Sequence, residues 1–222
     1  MGISFSGSYC FAEIDMELDK RDLYETLVSP SKAEYTVQRS KFIALAIPVA
    51  SADDALLTLA GLRKEYYDAT HVCWAYAVGC EREENRMNDD GEPSGTAGRP
   101  IYGQILSHNL SDLLVVVVRY FGGVKLGTGG LIDAYKESAR LVLSTAERKE
   151  VILMSDFSLA YPPGLTGTVM RLIKNLGAEI REQGFQAGES LIHCRIRRGQ
   201  LPILRAAASA IFGITLTTDE EG

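Results

Sequence analysis

Six consecutive aliphatic residues, Leu113 to Val118, constrain this chain more than any other stretch. Four of them are valine, whose stiff χ1 suits a pleated strand, and a run without polar alternation has to be covered on both faces. It is far shorter than the roughly 18 apolar residues that a membrane-spanning helix needs. It ends at Arg119-Tyr120-Phe121 and gives way to five glycines within nine positions, Gly122 to Gly130. Apolar residues at 131, 132, 134, 135, 139, 142 and 143 then keep helical spacing, which predicts a helix over Leu131–Thr145 folded back on the strand.

The flanking segments complete an α+β chain, and 222 residues leave room for two domains. Two β-compatible runs, Ala33–Val37 and Lys41–Val49, precede a helix over Ala52–Tyr67 that Ser51 is suited to cap. His71–Val78 reads as another strand, and Arg99–Asn109 as a short helix opened by Pro100. Between them, the charged stretch to Gly98 has no apolar period and reads as a long exposed loop. Beyond Ala146 the order is strand Val151–Leu159, helix Leu165–Leu176, strand Ala178–Gln186, strand Ser190–Ile196, helix Gln200–Phe212 and strand Ile214–Thr218. This βαββαβ order is the ferredoxin-like pattern, with Gly177 and Gly213 placed as helix C-caps. The expected domains are 17–146 and 147–222, after a loose tail over 1–16. Helix-like spacing (Leu18, Leu23, Leu27) begins only beyond Met16, which marks that methionine as the expected functional start.

The net charge of −6 is concentrated in two places. Glu81 to Glu92 carries −4 and Asp219 to Glu221 carries −3, leaving the rest of the chain at +1. That distribution disfavours indiscriminate nucleic-acid binding but allows a local basic site. Cysteines at 10, 73, 80 and 194 form no CxxC pair and no signal peptide precedes them, which points to reduced thiols and a cytoplasmic protein. His71 and Cys73 alternate on one strand face and suit packing better than a zinc site; His193 and Cys194 lie on opposite faces of one strand. No metal or cofactor is implied.

Two constellations carry possible chemistry. The glycine cluster opens a helix, where unpaired N–H donors and the dipole favour an anion, and Arg119 and Lys125 add mobile positive charge. Gly122, Gly123, Gly127, Thr128, Gly129 and Gly130 therefore form either a phosphate-contacting loop or a tight strand-to-helix connection. A nucleotide P-loop fails, because Thr128 stands where its lysine belongs. The second constellation, Asn88 to Arg99, holds Asp89, Asp90, Glu92, Ser94, Thr96 and Arg99. It reads as a solvated, turn-forming loop, with hard-cation binding as the alternative. Farther on, Arg195, Arg197, Arg198 and Arg205 form a stretch of bases without an acid, and alternation puts Arg195 and Arg197 on one strand face, facing solvent or backbone phosphates.

Asp89-Asp90-Gly91-Glu92-Pro93-Ser94-Gly95-Thr96-Ala97-Gly98-Arg99-Pro100 and the block from Val115 to Leu131 resemble the YigZ/IMPACT family, as do Arg39 to Ala44 and Ala69 to Tyr76. The resemblance spans about residues 33–145, with weaker motifs beyond. It implies a first domain similar to domain IV of elongation factor G, a mixed sheet with helices on one face, and a second similar to domain V. Both contact the ribosome in that factor, and eukaryotic relatives act in translational control through a protein partner. No catalytic role attaches to the family's motif residues. The expected function is a non-enzymatic RNA- or ribosome-associated regulator of translation. The alternatives are a phosphate- or nucleotide-binding small-molecule enzyme and a protein-binding adaptor that uses the acidic loop.

Overall fold

A computed structural model describes residues 22–218. The expected tail over 1–16, the Met16 start and the acidic residues 219–221 lie outside them. The chain forms two compact units, Leu23–Leu153 and the segment from Met154 onward.

In the first unit, β2 (Ser31–Val37), β3 (Ser40–Pro48), β4 (His71–Val78), β5 (Glu84–Asn88) and β6 (Leu113–Tyr120) form a sheet in the order β2-β3-β6-β4-β5. The expected mixed sheet is not present: every neighbouring pair is antiparallel. β6 occupies the centre, as its unbroken apolar run requires. Leu113, Val115 and Val117 enter a core shared with α2 (Gly98–Ser107) and α3 (Gly127–Thr145), whereas Leu114, Val116 and Val118 enter a second core under α1 (Ala52–Glu65). Helices thus cover both faces rather than one, because a strand apolar on both sides cannot leave either to water. On the α3 side the strands present Ala44, Ala46, Ala75 and Ala77, small enough for helices to approach closely. Burial of Leu131, Val142 and Leu143 of α3 there stabilises by about 1.5–3 kcal/mol per side chain. Ser51 caps α1 as expected, accepting from the Asp54 N–H at 3.1 Å.

Two elements differ from expectation. β5 runs through the stretch read as loop; it is an edge strand with all five residues exposed, so no alternation marks it. Leu23–Leu27 is a strand, β1, paired antiparallel with β7 (Arg148–Ile152), not the start of a helix. Residues four apart share a face in both a helix and a strand, so that leucine spacing cannot distinguish them. Correspondingly, the single strand expected over Val151–Leu159 is two, β7 and β8 (Met154–Tyr161), broken at Leu153.

The second unit contains β8, α4 (Thr166–Asn175), β9 (Glu179–Gln186), β10 (Glu189–Arg197), α5 (Leu201–Ser209) and β11 (Thr215–Thr218). Its antiparallel sheet has the order β11-β8-β10-β9, which a split-βαβ unit requires. Leu159, Ile192 and Ile196 of the sheet pack on Val169 and Ile173 of α4 and Leu204 of α5. Gly177 directly follows the C-cap Leu176 of α4 with φ of 62°, as expected, whereas α5 ends at Ser209 with C-cap Ala210, so Gly213, with φ of 90°, lies in the turn before β11 and not at the cap. Among the described residues no helix is long and apolar enough to cross a membrane.

Candidate functional site

Register across three strands of the first unit places Phe42, Arg119 and His71 in one row, at the end of the sheet where β6 turns toward α3. Arg119 continues the alternation of Leu113, Val115 and Val117, so its side chain enters the core side and is only 6% exposed. A charge held there must be paired. Arg119 Nη1 donates to Glu92 Oε1 at 2.5 Å, and Glu92 is itself 3% exposed. Tyr135 Oη donates to the same oxygen at 2.8 Å. The guanidinium also lies over the rings of Phe42 and Phe121, at 5.6 and 5.5 Å. Arg119 is therefore not the mobile cation its sequence position implied; it is clamped. Behind it, Cys73 Sγ lies 3.3 Å from Tyr135 Oη. Burial pushes the Cys73 thiol up to about 12 and raises the Tyr135 hydroxyl strongly, with Cys73 and Glu92 adding to the latter. Cys73 is thus a protonated packing group rather than a nucleophile.

The acidic loop is folded into this cluster instead of being solvated. Asp89 accepts the N–H groups of Gly95, Ala97 and Gly98 at 2.8, 3.0 and 2.8 Å, which caps α2 where Ala97 has no side-chain acceptor. Asp90 accepts the Val72 N–H at 2.7 Å and Arg63 at 2.5 Å, while its carbonyl lies 2.8 Å from His71 Nδ1. Thr96 Oγ1 donates to the Pro93 carbonyl at 2.6 Å. Glu92 and Thr96 are buried, whereas Ser94 and Arg99 are exposed. The carboxylates point at separate protein donors, so they do not converge on a cation, and among the described residues no cluster of three potential metal ligands exists.

Burial of Asp89 alone would raise its carboxyl, but the three N–H donors and nearby Arg99 outweigh it and hold the group below 3.8. A lowered folded value contributes stability that is present above the ordinary carboxylate range and lost as pH falls through the folded value. Asp89→Asn should therefore cost about 1–2 kcal/mol near neutral pH. In denaturant melts over a pH series, the variant should also lose less stability than the parent below about pH 4.

Between this loop and the glycine-rich turn lies a cleft of about 360 Å³. Glu92, Arg119 and His71 contribute to its wall together with Phe121, Lys125, Gly127 and Thr128. α3 begins at Gly127, four residues earlier than the apolar spacing indicated, so Gly127, Thr128 and Gly129 form its first turn. No side chain caps that turn and no acid lies in it. Gly127 has φ of 70°, the conformation that turns the chain into the helix. Lys125 is exposed and makes no hydrogen bond or ion pair among the described residues. Gly122 serves the fold: it lies against Arg39 and Ser40, and its N–H donates to Ser40 Oγ at 3.2 Å. Gly123, Gly129 and Gly130 complete the turn and the first turn of α3.

Arg195 and Arg197 lie on β10 of the second unit and do not line this cleft. Arg195 is held by Asp156 on the neighbouring strand through two bonds of 2.8 and 2.7 Å, so the run without an acid acquires one by strand pairing. His71, Phe121 and Tyr135 were not among the expected site residues. For the clamp itself a signal existed, because a strand covered on both faces leaves Arg119 no side that faces solvent.

Residues 38–143 match the Impact N-terminal domain. An IMPACT family member of Haemophilus influenzae is 35% identical over 161 residues, covering 72% of this chain and 78% of its own. The IMPACT family member YigZ of Escherichia coli is 32% identical over 155 residues, covering 68% and 75%. A crystal structure of a hypothetical protein superimposes with a TM-score of 0.64 at 24% identity, over 90% of this chain and 99% of its own, a likeness of fold alone. With 78% of a bacterial relative aligned at 35% identity, and both loops of the cleft inside the matched domain, this chain belongs to the IMPACT family.

Proposed function

We propose that this protein is a non-enzymatic, RNA- or ribosome-associated regulator of translation in the cytoplasm, and that it meets RNA phosphates at the cleft of its first unit. The observation that carries this reading is the uncapped start of α3 beside unpaired Lys125. A helix start carries about half a positive charge, and its first N–H groups have no partner within the helix. Together with an exposed ammonium, this forms a set of donors for phosphate oxygens. The likeness to elongation factor G expected from the sequence motifs belongs to this proposal, as does a regulatory protein partner.

The test is the salt dependence of binding to single-stranded RNA. Lys125→Ala should reduce the slope of log affinity against log salt by about 0.7 and weaken binding alike across sequences. An unchanged slope counts against the site. Arg119→Ala is the wrong probe, because it removes the partner of buried Glu92 and perturbs the fold.

One observation favours a second reading, an enzyme acting on a phosphorylated small molecule. His71 lines the cleft with Nδ1 2.8 Å from the Asp90 carbonyl and Nε2 3.9 Å from Glu92 Oε1, an imidazole oriented by neighbours as an acid–base group would be. A nucleotide substrate at a hundredfold excess over its dissociation constant should stabilise the chain by about 2.7 kcal/mol. No shift in melting with any nucleotide would remove this reading.

A further inference from the structure

We infer that the cleft seats one unpaired nucleobase bearing an amino group, which donates to His71 Nε2; this rests on the RNA reading above and adds a base to it. The observations that carry it lie on the wall opposite the start of α3. His71 Nδ1 is 2.8 Å from the Asp90 carbonyl, which can only accept, so Nδ1 carries a proton and Nε2 of the neutral ring is a bare acceptor. A Cβ at Gly91 would lie 3.6 Å from Nδ1 and Cε1, so the loop closes off that edge of the ring and leaves the Nε2 edge to the cleft. Among the described residues no hydrogen bond reaches Nε2, although the side chain is 21% exposed. Glu92 Oε1, 3.9 Å from Nε2, is itself an acceptor.

Two neighbouring acceptors without a proton between them call for a ligand that donates. An amino group has two protons, one for Nε2 and one toward the Glu92 carboxylate, whose Oε2 takes no hydrogen bond from a described residue. A charged ammonium does not suit the place: Arg119 offsets Glu92, and Lys125 leaves the lining net positive. The rest of the lining selects a flat apolar body to carry the neutral amino group, since Pro93, Phe121, Leu126 and Leu131 form the walls. Arg119 lies over the Phe121 ring at 5.5 Å, yet Phe121 is 47% exposed, which leaves ring surface on which a base packs. The volume of about 360 Å³ lies in the range of small-molecule sites, roughly 300–1,000 Å³. Adenine and cytosine meet these requirements, and uracil, which has no amino group, does not.

The experiment uses the full chain and fluorescence anisotropy on an oligouridylate whose central residue is adenosine or purine riboside, two strands that differ by a single amino group. The adenosine strand should bind about 10-fold tighter, the worth of one net hydrogen bond. In parallel, thermal melts compare free adenosine with free purine riboside. His71→Asn, whose amide still donates to the Asp90 carbonyl but places no acceptor at the Nε2 position, should bring the adenosine strand down to the purine-riboside strand. Phe121→Ala should weaken both strands alike. A preference for adenosine that survives His71→Asn overturns the inference. Equal binding of the two strands, with neither nucleoside raising the melting temperature, also overturns it but leaves the backbone-phosphate reading intact. A melting temperature raised by adenosine alone, with the strands bound equally or not at all, identifies a free nucleoside as the source of the base; the inference then stands, and the RNA reading falls if no strand binds. No binding of strand or nucleoside overturns both.

Discussion

Arg119→Ala is expected to lower the stability of the first unit by about 3–5 kcal/mol, the loss typical when one partner of a buried ion pair is removed. Glu92 would be left at 3% exposure with Tyr135 as its remaining hydrogen-bond donor and His71 Nε2 3.9 Å away. Denaturant unfolding followed by tryptophan emission reads this unit directly, because Trp74 is the single tryptophan and is buried in the core under α1. Glu92→Gln should cost less, since an amide oxygen still accepts from Arg119 and Tyr135. Replacing the pair together, Arg119→Met with Glu92→Leu, should cost less than the two single losses combined, as residues sharing one contact are not additive. A loss below about 1 kcal/mol for Arg119→Ala would mean that the pair behaves as a solvated one, and the clamped guanidinium would have to be abandoned.

Gly122→Ala should be nearly as damaging, at about 3 kcal/mol, the upper end of overpacking. A Cβ at this position falls on the backbone carbon and oxygen of Arg39 and the nitrogen of Ser40, atoms that cannot swing aside as a side-chain tip can. Gly129→Ala provides the contrast within the same cluster. Nothing lies within 4 Å of a Cβ there, and the residue sits in a helix, so alanine should stabilise by about 0.5–1 kcal/mol. Thermal melts of the two variants, moving in opposite directions, check that the glycines of this turn have separate reasons to be glycine. A common direction would reject that assignment.

Strands with a strong apolar signal were legible in the sequence, and those defined by a partner were not. His71–Val78 and the core of β6 announce themselves because burial on both faces leaves no polar residue in the run. β5 has exposed polar residues held by ladder bonds to β4, which no composition reports. The cleft was half legible. The glycine turn and the acidic motif were both visible, but their meeting depends on Glu92 reaching Arg119 across 27 residues, a pairing set by the sheet register. The same holds for Asp89, Asp90 and Glu92. As a sequence they are a negative patch, and in the fold each is assigned to different donors. Charge can be counted along a chain, but its solvation depends on where the chain returns.

The central place of β6 has a consequence for the newly made polypeptide. β3 and β4 are not neighbours; each is bonded to β6, which leaves the ribosome after both. Until residue 120 clears the exit tunnel, β4, with seven of its eight residues destined for burial, has no central partner and its ladder groups stay open. A pause in translation ahead of that point would prolong a state open to chaperones and to aggregation, and emergence of the eight residues Leu113 to Tyr120 from the tunnel would end it.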